Sequence, residues 1–260
     1  TYDYRGIGES APPSLRGFEA RCRDWGQRDV PGAIRWLRQR DPSLPLRVIG
    51  HSTGGQQLGL APNLDEVTRA VFVGVSTGYW RAMQSPFKWF TLGLWRVYLP
   101  IATRLYGYAP SKKIRQGENL PAGVAREWGT WCLEPEYLAA YFDEGGRLAP
   151  SDGEPFGPVH FEEARFPIRA YCFPDDPIAT AASVPAMLNL YENSPLETRW
   201  VAPEDLGVQE IGHFGFFRSH IGGPLWEEAL DWLEDRGHGD LGGPPTGDAR
   251  SLAPEAQRLN

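Results

Sequence analysis

Three stretches of this chain carry residues whose types and spacing suit attack on a carbonyl carbon. The first is Gly50-His51-Ser52-Thr53-Gly54, which follows the apolar-rich run Leu46-Arg47-Val48-Ile49. A serine lifted off a strand end on a sharp turn takes strained dihedrals and presents its hydroxyl, the arrangement called a nucleophile elbow. A Cβ two residues to either side is expected to collide, which accounts for glycine at both 50 and 54. Thr53 opens the following helix, and its backbone N–H points back to where an oxyanion would develop. The same pattern recurs at Gly74-Val75-Ser76-Thr77-Gly78. There the bulky Tyr79 and Trp80 follow where the turn needs room, whereas Ser52 is followed by Gly55-Gln56-Gln57-Leu58-Gly59. Ser52 is therefore the candidate nucleophile, and Ser76 is read as an ordinary strand end.

A serine needs an imidazole base, and the base needs a carboxylate to orient it. In a parallel sheet such groups meet at the carboxyl ends of the strands. Asp175 and Asp176 directly follow the apolar run 168–173, and His213 lies in the glycine-flanked loop Ile211-Gly212-His213-Phe214-Gly215. Asp176, followed by Pro177-Ile178-Ala179, is the preferred carboxylate, with Asp175 as the alternative. His51 reads as a packing residue of the elbow, His220 as a surface residue and His238 as part of a tail. No His-Glu-x-x-His or Cys-x-x-Cys spacing occurs, so no metal is expected. Glu162-Glu163 and Glu227-Glu228 read as solvated faces. Gly6-x-Gly8-x-x-Ala11 superficially matches a dinucleotide fingerprint, but Pro12-Pro13 stand where its helix would run.

The positioning elements follow from hydrophobic periodicity. Thr1-Tyr2-Asp3-Tyr4 reads as the tail of a strand, and 5–10 as a loop. A helix is predicted over 29–40, with Val30, Ala33, Ile34 and Leu37 inward. Strands are predicted at 46–49, 70–73, 168–173 and 198–202, and further helices from the elbow to 60, over 182–191 and over 224–235. In the last, Leu225, Trp226, Ala229 and Leu233 face inward. Continuous apolar strands alternating with helices mean a mostly parallel sheet covered on both faces. Across 79–159 the alternation stops and aromatics crowd in, which predicts a mostly helical cap. The resulting division is core 1–78, cap 79–159, core 160–236 and a disordered tail 237–260.

The net charge of −7 argues against nucleic acid as a partner. Three cysteines, Cys22, Cys132 and Cys172, are odd in number and lack ligand spacing, which suits a reducing compartment. No signal peptide or membrane span is visible. The longest apolar candidate, 86–105, is interrupted by Lys88, Arg96, Pro100 and Arg104. A cytoplasmic location is expected. The chain opens without methionine and in mid-strand, so an N-terminal part is expected to be missing, and with it any signal peptide.

Together, Asp3-Tyr4-Arg5-Gly6-Ile7-Gly8-Glu9-Ser10, Gly50-His51-Ser52-Thr53-Gly54-Gly55, Phe173-Pro174-Asp175-Asp176-Pro177-Ile178-Ala179 and Gly212-His213-Phe214-Gly215-Phe216-Phe217 resemble the α/β-hydrolase superfamily. The resemblance is to the bacterial predicted α/β-hydrolase group, in the serine-aminopeptidase and monoglyceride-lipase-like branch. The order Ser…Asp…His is that of the fold. The resemblance implies a cofactor-free serine hydrolase with Ser52, Asp176 and His213 as triad and the Thr53 N–H as one oxyanion donor. An ester-type apolar acyl substrate under the cap is expected. Thioesters and amides are the variants, and acyl transfer or a non-catalytic ligand-binding role the alternatives. The second oxyanion donor is expected upstream of residue 1, so the 260-residue chain is expected to be inactive or marginally folded and the complete protein active.

Overall fold

Side-chain alternation along two central strands sets the architecture. The computed structural model describes residues 1–115, 117–142 and 155–236. The strands are β1 (Leu46–His51), β2 (Val67–Val73), the short ribbon β3 (Tyr108–Ala109) and β4 (Leu120–Pro121), then β5 (Ile168–Cys172) and β6 (Leu196–Trp200). The main sheet runs β1-β2-β5-β6, and all its pairs are parallel. β3 and β4 pair antiparallel and apart from it.

The helices are α1 (Cys22–Asp24), which passes through a π turn (Trp25–Asp29) into α2 (Val30–Arg40), and α3 (Thr53–Leu58). α4 (Phe87–Gly93) continues through a second π turn (Leu94–Tyr98) into α5 (Leu99–Tyr106). α6 (Ala122–Leu133), α7 (Ser183–Leu188) and α8 (Ser219–Leu233) complete the set. Successive residues of a strand point to opposite faces. Ala70, Phe72, Ile168 and Ala170 accordingly pack with Val30 and Ile34 of α2, Leu58 of α3 and Met187 of α7. Val71, Val73 and Tyr171 face the other way, onto Ile221, Leu225 and Ala229 of α8. Helices therefore cover both faces of a parallel sheet.

Among its described residues the segment between β2 and β5 is largely helical; Leu99, Ala109 and Ala125 form a small buried cluster of their own within it, and other residues pack into the core of the sheet. Trp131, Tyr137 and Leu138 join the same buried cluster as Phe72 and Ile168. A buried ion pair ties it down: Arg23 Nη1 donates to Glu127 Oε1 of α6 at 2.8 Å, and the Arg23 backbone N–H donates to Oε2 at 2.9 Å. The aromatics predicted to line a cap divide here. Trp131 and Tyr137 are buried core, whereas Trp89 and Phe90 are 58% and 46% exposed.

Several expectations are corrected. Residues 1–4 form no strand, because among the described residues no strand lies beside them to supply a ladder. Tyr4 stacks on Trp25 instead, at 5.0 Å between centroids. Leu37 is exposed, since α2 presents only Val30, Pro31 and Ile34 to the core. α8 starts at Ser219 and carries Pro224 inside it, and Trp226 is turned half outward. The π turns were not legible, because they shift helical periodicity by a single residue. The predicted tail 237–260, and 143–154 of the predicted cap, lie outside the described residues.

Candidate active site

Ser52 sits between β1 and α3 with φ 50° and ψ −114°, a region that non-glycine residues rarely enter. Its N–H donates to the Val73 carbonyl at the end of β2, at 2.9 Å. The glycines around it serve unequal purposes. A Cβ on Gly50 would stand 2.9 Å from the Gly55 backbone nitrogen, and one on Gly55 would stand 2.6 Å from the Val75 side chain. A Cβ on Gly54 would meet nothing within 4 Å. The steric demand expected at 50 and 54 therefore falls on 50 and 55, where β1 and the loop after β2 press on α3.

His213 and Asp176 reach the same strand end. Nδ1 of His213 lies 2.7 Å from Asp176 Oδ2, and both side chains are buried. The Asp176 carboxylate is fully sequestered, and its other oxygen accepts the N–H groups of Ile178 and Ala179 at 2.8 and 2.9 Å. A Cβ on Gly74 would lie 3.3 Å from Asp176 Oδ2 and 3.3 Å from His213 Nδ1. Gly74 directly follows Val73, the residue that Ser52 bonds, so serine, imidazole and carboxylate gather around the carboxyl end of β2. With Nδ1 committed to Asp176, Nε2 is the nitrogen left for other partners. The Ser52 hydroxyl and the His213 ring do not hydrogen-bond each other in this structure.

A strained serine at the strand-to-helix turn and a later carboxylate–imidazole pair now stand on one parallel sheet, in the order Ser52, Asp176, His213. The fold is a parallel α/β sheet covered by helices on both faces, the class expected of an α/β-hydrolase. No protein-family model matches the chain, and no curated protein matches its sequence. Solved structures do resemble it. Mouse alpha/beta hydrolase domain-containing protein 10 is 14% identical, with 90% of this chain and 76% of that one covered, at a TM-score of 0.44. An alpha/beta fold family hydrolase from Bacillus anthracis is 10% identical, with 90% and 80% covered, at 0.45. An esterase from Pyrococcus furiosus is 15% identical, with 90% and 68% covered, at 0.45. These likenesses are too distant to add to what the sheet order and the elbow say of the fold.

Two residues near the site have roles that sequence reasoning left open. Asp175, the alternative carboxylate, does not touch His213. Its Oδ2 accepts the N–H groups of Ile211 and Gly212 at 2.7 and 3.0 Å and so clamps the loop that carries His213. His51 holds the same loop from the other side, with Nε2 2.9 Å from the His213 carbonyl oxygen. Its ring packs among His213, Phe214 and Phe217. Burial, and then the neighbouring imidazole, hold His51 down from its ordinary 6.5 to about 4, so it is neutral and Nε2 carries the donating proton. Nothing local to either residue could have signalled these contacts, since each partner lies more than thirty residues away.

Ser76 is buried in the loop after β2, its hydroxyl turned to the Thr77 carbonyl and its own carbonyl accepting the Gln56 amide at 2.6 Å. Gln56 in turn accepts the Tyr137 hydroxyl at 2.9 Å, and that hydroxyl accepts the Trp128 indole N–H at 2.8 Å. This chain joins the helical insertion to α3 directly beneath the elbow. His220 is exposed, as its setting suggested. Among the described residues, no group of three or more His, Cys, Asp or Glu side chains is placed to hold a metal ion. One surface groove is lined from 1–10 and 28–37, a second from 93–106, and a third from 6–15 together with Tyr108, Lys112, Glu118 and Asn119; none of the three includes Ser52, Asp176 or His213.

Proposed function

We propose that the protein is a serine hydrolase acting on an ester-type acyl substrate, with Ser52 as nucleophile, His213 as base and Asp176 as its orienting carboxylate. The observation that carries this reading is the buried Asp176–His213 pair beside the strand end that Ser52 bonds. Substrate binding draws Ser52 Oγ onto His213 Nε2, a contact that commonly tightens only in the loaded enzyme. Nε2 takes the hydroxyl proton as Oγ bonds to the acyl carbon, and returns it to the departing alkoxide as the ester C–O bond breaks. Asp176 keeps Nδ1 protonated and stabilises the transient imidazolium. The Thr53 N–H, first in α3 and so free of any helical acceptor, supports the oxyanion. Water then attacks the acyl-enzyme along the reverse path. The acyl chain is assigned to the segment expected to form a cap over 79–159.

Labelling of the full-length protein with a fluorophosphonate probe tests the reading. Wild type and Ser76→Ala are expected to label, and Ser52→Ala to lose all label. Asp176→Asn is expected to lower ester turnover by about 10⁴-fold through the wrong imidazole tautomer. A folded wild type that does not label, or a Ser52→Ala protein that does, would overturn the proposal in favour of a non-catalytic binding role. An acyl-enzyme resolved by added alcohol in preference to water would make it an acyltransferase.

A further inference from the structure

The outer face of α4 and α5 is built unlike the rest of the surface. The two helices and the π turn between them run continuously over residues 87–106, a span of about 30 Å at the helical rise. Their inner face is accounted for. Leu99 is buried with Ala125 of α6, and the Trp95 ring packs at a tilt against Trp128. Their outer face carries Trp89, Phe90, Val97, Ile101 and Leu105, which are 58%, 46%, 55%, 56% and 67% exposed. These residues recur at helical spacing and form one stripe, with an open groove between Gly93, Val97, Ile101 and Leu105. A contiguous apolar stripe of this kind marks an interaction surface.

Charge identifies the partner. Residues 79–115 hold seven of the chain's 26 basic residues and none of its 33 acidic ones. Lys88, Arg96 and Arg104 recur every eight positions, each one residue before Trp89, Val97 and Leu105, so a basic row borders the apolar one. Among the described residues Arg96 and Arg104 are exposed and in no ion pair, while Lys112 pairs with Glu118. Lys88 and Lys113 lie over the rings of Trp89 and Tyr106, at 5.6 and 4.2 Å. An apolar stripe with tryptophan and phenylalanine, edged by lysine and arginine, is the pattern of a helix that lies in the plane of a lipid surface. No helix among the described residues is long and apolar enough to cross a membrane, so the contact is interfacial.

We infer that the outer face of α4–α5 seats the protein on an anionic lipid bilayer, the stripe entering the headgroup boundary and the basic row facing lipid phosphates. A strongly acidic remainder would be repelled by such a surface, which orients the molecule with this helix down. The inference is independent of the serine chemistry.

Sedimentation of the whole protein with vesicles tests it. Wild type is expected to pellet with vesicles of mixed phosphatidylcholine and phosphatidylglycerol, and far less with phosphatidylcholine alone. Replacing Lys88, Arg96 and Arg104 together by Gln is expected to weaken binding on the order of a hundredfold. The doubly substituted Ile101→Asp, Leu105→Asp protein is expected to stay in the supernatant with its circular dichroism unchanged, since both positions are exposed. Equal pelleting with both vesicle types, or a double variant that binds as wild type does, would overturn the inference. So would a wild-type dimer that binds no vesicle and becomes monomeric in the double variant, because the stripe would then be an interface between two copies.

Discussion

Gly50 and Gly54 are symmetrical in the pattern around Ser52, yet their surroundings differ. Gly50 is pressed against the backbone of Gly55, whereas Gly54 faces open space within α3. Gly50→Ala is therefore expected to cost about 1–3 kcal/mol. Gly54→Ala is expected to be neutral or to stabilise by up to about 1 kcal/mol through helix propensity. Urea unfolding of the two variants checks the contrast. His51 makes a second prediction at this scale. Its folded state holds it to about 4, below the ordinary 6.5, so the unfolded chain binds a proton that the native one refuses. The stability it contributes is full above pH 6.5 and is lost as pH falls from 6.5 towards 4. His51→Gln is expected to flatten that slope, measured as the urea midpoint across the same window.

The elements that place these residues are joined by a few long-range polar contacts. Glu127 on α6 is the clearest. It accepts both the backbone and the guanidinium of Arg23 in a buried setting. Glu127→Ala removes the buried carboxylate that Arg23 bonds twice, and is expected to lower stability by up to about 3–5 kcal/mol. The paired change Arg23→Met with Glu127→Leu is expected to recover most of that loss, and denaturant curves of the three proteins decide. The insertion reaches the elbow through a different route, Trp128 to Tyr137 to Gln56. These links explain why the strands were readable while the joints were not. Apolar runs such as 168–173 declare themselves locally, but the partners of Glu127 and Gln56 lie 104 and 81 residues away.

At the scale of the molecule, the sheet is covered unevenly. Among the described residues β1 is an edge of the four-stranded order, and Ile49, in register with Val71, is 55% exposed where Val71 is fully buried. An apolar side chain on an open edge strand invites pairing with another chain. Ile49→Lys is expected to lower concentration-dependent self-association without loss of helical signal, as read by light scattering. The opposite side of the balance is the surface of α4–α5, where apolar exposure is accompanied by unopposed basic charge. Neither feature follows from the net charge of −7, which averages a basic segment into an acidic whole.

What the sequence determined alone was local or combinatorial. Glycine spacing marked the elbow, periodicity placed four parallel strands and most helices, and the proline pair at 12–13 excluded a phosphate-binding helix. Tertiary structure decided everything that depends on which distant surfaces meet. It put Asp176 against His213 and gave Asp175 to the loop backbone. It turned Leu37 and Trp226 outward, and moved the steric demand from Gly54 to Gly55. The reason is range: a helical or strand period is complete within a few residues, whereas a neighbour at 3 Å is set by how whole elements cross.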